Sequence, residues 1–232
     1  MFSIIIPTYN EKKNIAPIFR NLKKINYNFE VIFVDDASND GTDKAIKDLI
    51  RKNKKKNINF LLRNNIERDL SRSVMDGVAI AKFKYILVMD ADLQHDFNNV
   101  NLLFNNIINS DFDIIVGSRF IKKKIDSNLG LLRTILSLTI IFIINLLFEK
   151  KFTDPLSGFF VVKKKIIKEY KNNFFCRGYK ILFDILYNSK KNIKFKEIEI
   201  NFKKRKFEKS KISLRILILF IQQLCFTLKK RT

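Results

Sequence analysis

The sequence predicts an α/β fold: a mostly parallel β-sheet flanked on both faces by helices. Two features carry that prediction. The short apolar runs SIIIP, VIFVD, YILVM and DIIVG lack the polar alternation of a strand with one wet side, and strands buried on both faces belong to parallel sheets. Between them lie longer segments with apolar residues at helical spacing, the order that generates βαβ units. At 232 residues the chain can bury a sizeable core.

FSIIIPTYN (2–10) reads as the first strand, ended by Pro7, and NIAPIFRNLKKI (14–25) as the helix after it. FEVIFVDD (29–36) is a second strand, closed by the turn residues Asn39-Asp40-Gly41. A helix over 43–55, a strand over 58–64 and a helix over 70–83 follow. YILVMDAD (85–92) is the fourth strand, 97–109 the next helix, and FDIIVGSRF (112–120) the fifth strand. In such sheets ligands bind beyond the carboxyl ends of the strands. Thr8-Tyr9-Asn10-Glu11, Asp35-Asp36, Asp90-Ala91-Asp92 and Gly117-Ser118-Arg119 all fall there. Loop capping explains any one such cluster; four on one edge indicate a site.

The second half changes character. Residues 1–120 carry 18 Lys and Arg against 15 Asp and Glu, whereas residues 121–232 carry 27 against 8. A compositional lean toward Lys, Asn, Ile and Phe would raise lysine throughout but would not drain acids from one half. The back half is therefore expected to meet something anionic, a nucleic acid or a membrane surface. Its lysines are interleaved with long aliphatic runs and show no aromatic stacking platform, so no nucleic-acid partner is expected. The run 129–149 is strongly apolar but holds Arg133, Ser137 and Asn145, and 212–228 holds Arg215, Gln222 and Gln223. A bilayer core asks for about 20 predominantly apolar residues. Helices lying at an anionic membrane interface fit best, with a span or an ordinary core helix as alternatives for 129–149. The domain division expected is 1–211 and an appended helix, 212–232. Cys176 and Cys225 show no metal-ligand spacing, and no basic leader precedes the first apolar run. Both point to a reduced, cytosol-facing setting.

Asp90 and Asp92 close an apolar strand. In an extended segment residues i and i+2 project to the same side, and two carboxylates so placed can share a hard divalent cation with sites left for a diphosphate. The lone His95 is expected to support this loop without ligating.

The ordered motifs IIIPTYNEKKNI, VIFVDDASNDGT, VMDADLQHD and VGSRF resemble those of family-2 glycosyltransferases with the GT-A fold. LRTILS, TDPLSGFF and FKKRKFEKSK narrow the resemblance to dolichyl- and polyprenyl-phosphate sugar synthases of the dolichol-phosphate mannosyltransferase type, over nearly the whole chain. The resemblance implies that Pro7, Tyr9, Glu11 and Asp36 hold the nucleotide. Asp90, Asp92 and Gln94 would hold Mg²⁺ or Mn²⁺ on the donor diphosphate. Arg119, with Arg133 and Ser137, would engage the acceptor phosphate, beside Asp154 and Ser157 of the TDPLSGFF loop. Arg205, Ser210 and Lys211 match the basic loop that closes over the phosphates, where a guanidinium fork suits phosphate oxygens. Asp92, Arg119 and Arg205 would then carry catalysis. Two positions depart from the family pattern: Glu208 and Asp69 stand where relatives commonly have Gly.

The chain has no Trp, so it lacks the Trp-containing box of processive family-2 enzymes. A hydroxyl acceptor usually needs a general base. A phosphate monoester, with a second pKa of roughly 6, is already mostly ionised at neutral pH and needs orientation and charge screening. The expected reaction is inverting, metal-dependent transfer from GDP-mannose or a UDP-sugar to a polyprenyl or dolichyl phosphate at the cytoplasmic face of a membrane. Transfer to a hydroxyl of a cell-surface glycan is the alternative, and a basic nucleic-acid-binding module the distant one.

Overall fold

A computed structural model describes residues 1–54, 57–64, 67–121, 131–148, 151–189, 192–201, 203 and 214–230. The side chains of residues 131–133 and 214 are also outside the described set. The first half keeps the rhythm read from the sequence: β1 (Phe2–Thr8), α1 (Lys12–Leu22), β2 (Phe29–Asp35), α2 (Thr42–Lys52), β3 (Ile58–Leu62), α3 (Leu70–Ile80), β4 (Tyr85–Val88), α4 (Phe97–Ile108) and β5 (Ile114–Ser118). Beyond it come α5 (Leu131–Phe148), β6 (Phe160–Lys163), α6 (Lys164–Tyr170), a 3-10 turn (Lys171–Asn173), α7 (Ile181–Asn188), β7 (Phe195–Glu199) and α8 (Leu214–Lys229).

The strands form one sheet in the order β3-β2-β1-β4-β6-β5-β7. Every pairing is parallel except the two made by β6, which runs antiparallel between β4 and β5. Successive side chains serve opposite faces. Ile4, Ile6, Phe33 and Leu87 pack with Ile15, Ile46 and Phe104 on one side; Ile5, Ile32, Val34 and Val88 pack with Val74, Ile144, Ile185 and Phe220 on the other. Two buried faces explain the unbroken apolar runs. From β1 the chain works outward to β3, then crosses back so that β4 lies on the other side of β1. In open α/β sheets such a switch point is where a ligand crevice lies, beyond the strand ends.

Four elements differ from expectation. β4 stops at Val88, so Asp90 and Asp92 ride on a tight loop and not on extended strand. β6 and β7 are strands where the sequence showed only mixed segments. The apolar helix α8 is docked: Phe220, Gln223 and Thr227, spaced by three and four residues, are buried against α7. Asn188 Nδ2 donates to Thr227 Oγ1 at 3.0 Å, and the Phe183 and Phe220 rings meet edge to face. The expected boundary between 211 and 212 falls within 204–213, outside the described residues.

Asn145 explains one polar break in α5. Its amide donates to the Phe152 carbonyl at 2.8 Å and accepts from the Phe152 N–H at 3.0 Å, clamping the loop that follows. On the outer side of α5, Leu136, Phe142 and Leu146 are 63%, 68% and 69% exposed. Leu217, Ile218 and Ile221 of α8 are about half exposed. Among the described residues no helix is long and apolar enough to cross a membrane.

Candidate active site

The loops after β1 and β2 are laced together. Asn10 N donates to Ser38 Oγ at 2.8 Å, and Asn39 N to Asn10 Oδ1 at 3.0 Å. Asp35 is fully buried and accepts from Thr8 Oγ1, Ser38 N and Ser38 Oγ, so the first acid of the pair is structural. Asn10, Ala37 and Leu93 adopt positive φ of 53°, 57° and 62°. Such backbone costs roughly 1–3 kcal/mol per non-glycine residue and gathers where the surroundings fix a loop for binding. All three follow strands that end at the crevice.

The second acid, Asp36, anchors a buried corner. Arg63 Nη1 donates to Asp36 Oδ1 at 2.5 Å, and Asp69 N to Asp36 Oδ2 at 2.6 Å. Arg63 also reaches Asp76 through Nε at 2.8 Å. Burial pushes the Asp36 carboxyl up, while the Asp69 amide and the Arg63 charge work against that rise. Tyr9 lies beneath the Arg68 guanidinium, 4.3 Å from the ring centroid. Pro7 stands in β1 opposite Val34. Glu11 turns to the Asn14 amide, and its N–H binds Thr42 Oγ1 at 2.9 Å, so its carboxylate serves the start of α1. Asp69 caps α3 by accepting from Arg72 N at 3.0 Å, and its other oxygen takes the Gly178 N–H at 2.8 Å.

Asp92 and Asp90 differ in exposure. Asp92 is 4% exposed and accepts the Gln94 N–H at 3.1 Å; the Asp90 side chain is 36% exposed. His95 stacks on Phe159, with centroids 4.5 Å apart, and brings Nε2 to 3.7 Å from Asp90 Oδ2. Burial works to raise the Asp90 carboxyl, but His95 and the charges of Lys180 and Arg119 outweigh it and hold the acid below its ordinary range. Gln94 Nε2 donates to the Lys203 carbonyl at 2.9 Å, and the Gln94 backbone carbonyl accepts from Lys203 N at 2.8 Å. Lys203 also pairs with Asp96 at 2.8 Å. The lead-in to the basic segment is thus tied to the carboxylate loop.

On the other side, Arg119 meets Asp154 in a fork, Nε to Oδ2 at 2.7 Å and Nη2 to Oδ1 at 2.8 Å, with Asp154 fully buried. Glu197 of β7 accepts from the N–H groups of Thr153 and Asp154 at 2.9–3.0 Å; burial raises its carboxyl despite those bonds. Ser157 turns inward, donating to the Gly117 carbonyl at 2.8 Å and accepting from Phe159 N at 3.1 Å. Ser137 is half-buried on α5, one turn beyond Arg133. Arg205, Ser210, Lys211 and Glu208 lie outside the described residues, as does the Arg133 side chain.

Residues 3–171 match the family described as Glycosyl transferase family 2. The chain is 33% identical to a dolichol-phosphate mannosyltransferase of Pyrococcus furiosus over 86% of its own length and 55% of that protein's. It is 31% identical to the Saccharomyces cerevisiae dolichol-phosphate mannosyltransferase over 96% of this chain and 85% of the relative. This chain belongs to glycosyltransferase family 2. Among solved structures it resembles a mannosyltransferase of Pyrobaculum calidifontis in complex with GDP-Man and Mn²⁺, with a TM-score of 0.66 at 16% identity, covering 99% of this chain and 63% of that one. The sheet order and helical layers are those of the GT-A fold.

In this family-2 chain, no group of three His, Cys, Asp or Glu converges on a metal position among the described residues. Two carboxylates and an amide are hard oxygen donors that fit a divalent cation whose shell phosphate oxygens complete. Gly158 leaves space at that point: a Cβ there would stand 2.5 Å from Asp90 Oδ2. Reading the sequence missed Gly158, Lys180, Glu197 and Lys203. Glu197 was findable from the alternation in FKEIEI; a single lysine among 45 Lys and Arg has no signal.

Proposed function

We propose that this family-2 enzyme transfers a sugar from GDP-mannose or a UDP-sugar to a polyprenyl or dolichyl phosphate, with inversion, to give a lipid-phosphate-linked sugar. The observation that supports it best is the commitment of Asp154. Its two oxygens are held by the Arg119 fork and it is fully buried; Glu197 beside it holds backbone amides. Acids so engaged suit an acceptor that arrives ionised better than a hydroxyl awaiting deprotonation. The names of the Pyrococcus and yeast relatives point the same way.

An oxygen of the acceptor phosphate attacks the anomeric carbon as the bond to the donor diphosphate breaks. The electron pair leaves with the nucleoside diphosphate, and no proton has to move. The Asp36–Arg63 corner and Tyr9 receive the nucleoside, with Pro7 and Glu11 shaping the loop beside it. Asp90, Asp92 and Gln94 would hold Mg²⁺ or Mn²⁺, which when bound supplies charge to offset the leaving diphosphate. Arg119 and Ser137, beside Asp154 and Ser157, position the acceptor phosphate, and the resemblance implies that Arg133 would join them and that Arg205 and Lys211 would close over the donor. The exposed apolar sides of α5 and α8 rest on an anionic cytoplasmic membrane surface, making the enzyme peripheral.

The test is a panel of GDP-mannose, UDP-glucose and UDP-N-acetylglucosamine with undecaprenyl phosphate and Mg²⁺ or Mn²⁺, read as lipid-extractable label. One donor should give label that excess EDTA abolishes and that Asp92→Ala lowers about a hundredfold. Label appearing only in a soluble glycan, or undiminished turnover in EDTA, overturns the reading.

A further inference from the structure

Asp69 N donates to Asp36 Oδ2 at 2.6 Å, so the peptide joining Arg68 to Asp69 lies against the second acid after β2. The Arg68 guanidinium stands over the Tyr9 ring, 4.3 Å from its centroid. Arg68 therefore bridges the loops after β1 and β2. It is exposed, and among the described residues it makes no ion pair. Its neighbour Glu67 pairs with Arg215 of α8 at 3.5 Å, and Asp36 pairs with Arg63. A guanidinium over an aromatic face gives its charge to the ring and keeps N–H donors for a hydrogen-bonding partner.

The acids of this corner are committed. Asp35 accepts from Thr8 and Ser38 through both oxygens. Asp36 has one oxygen on Arg63 and the other on Asp69 N; Asp69 has one on Arg72 N and the other on Gly178 N. A base entering here meets a donor fork sooner than an open carboxylate. Guanine offers such a fork two adjacent acceptors, O6 and N7, the pattern that arginine binds with two N–H groups at once. Uracil separates its two carbonyl oxygens by the N3–H donor, and adenine sets an amino donor beside N7. Either satisfies one arm of the fork and leaves the other unpaired. We infer that Arg68 selects the base of the donor, holding guanine through O6 and N7 while the Tyr9 ring supports the guanidinium. The inference rests on the proposed donor site and narrows its substrate to a guanosine-diphosphate sugar.

The experiment is calorimetry in Mn²⁺ with GDP, UDP and 7-deaza-GDP, in which a C–H replaces N7, on the wild type and Arg68→Met. A bidentate pair corresponds to about ten- to a hundredfold in affinity. The wild type should prefer GDP to UDP by that factor and lose about tenfold on 7-deaza-GDP. Arg68→Met should bind all three nucleotides alike, with an unchanged melting temperature because the side chain is exposed. Equal wild-type affinities for GDP and 7-deaza-GDP overturn the inference. So does an Arg68→Met variant that keeps the wild-type ratio of GDP to UDP, which marks the arginine as a general attraction for phosphate. A variant that binds every nucleotide more tightly also overturns it, marking Arg68 as a cover over Tyr9. The reaction is read separately, as lipid-extractable label with undecaprenyl phosphate. Label from a UDP-sugar with GDP-mannose inert overturns the inference and leaves the reaction standing. Guanine selection without any lipid label sinks the reaction and leaves Arg68 its role, and a wild type that binds no nucleotide overturns both.

Discussion

Asp90 and Asp92 stand one residue apart, yet their surroundings divide the work between them. Asp92 is buried and engaged with the backbone of its own loop; Asp90 opens toward the crevice with His95 behind it. The left-handed backbone at Leu93 turns the chain directly after Asp92. Gly158→Ala should push the Asp90 carboxylate aside, since the added carbon would meet both carboxylate oxygens at 2.5–2.9 Å. A misplacement on that scale costs on the order of a hundredfold in turnover, while the melting temperature should stay near that of the wild type. Turnover within twofold of the wild type would show that the loop yields instead. Asp69, one of the two departures from the family pattern that the resemblance implies, also finds its reason at this scale. It caps α3 and holds Gly178 N–H, and a glycine can do neither.

At the scale of elements, α8 is joined to the body through a buried polar cluster. Asp184 accepts from Cys176 N and from Asn188 Nδ2 at 3.0 Å, and Gln223 reaches it from α8. Burial pushes the Asp184 carboxyl up against those hydrogen bonds. A raised acid binds its proton more tightly in the folded state. Its contribution is therefore complete below the unfolded pKa, about 3.9, and is lost as pH rises through the folded value. The Cys176 thiol beside it, pushed up to about 12 by burial and then by the charges of Asp184 and Asp69, stays protonated throughout. Melting temperature measured from about pH 4 upward should thus fall less in Asp184→Asn than in the wild type; parallel curves would refute this. Why β6 escaped notice is a related matter. β1 to β5 announce themselves because each is a long apolar run bounded by turn residues. β6 is four residues, FVVK, continuous with a loop, and its slot depends on partners 72–78 residues away in β4 and 44–48 residues away in β5. Lys180 was hidden for the same reason: only the folding of 174–180 across α3, α7 and α8 brings its charge to bear on Asp90.

For the whole molecule, charge and apolar exposure occur together. The basic back half carries both helices whose outer sides expose large aliphatic and aromatic residues. Flotation with vesicles should therefore require anionic lipid and weaken at high salt, because screening shortens to about 3 Å at 1 M. Replacing Phe142 and Leu146 by Ser should lower partitioning at least about tenfold from lost apolar burial alone. Equal binding to neutral vesicles, or a variant that floats as well as the wild type, would remove the membrane role. The position of β6 has a consequence during synthesis. β4 and β5 make no pairing with each other, and β6 bridges them. A nascent chain emerging up to α5 can therefore join β1 to β4 into a sheet but has nowhere to hang β5. The ribosome must deliver Phe160–Lys163 before the second half can attach, so for that interval β4 presents an open edge of the kind that recruits stray strands.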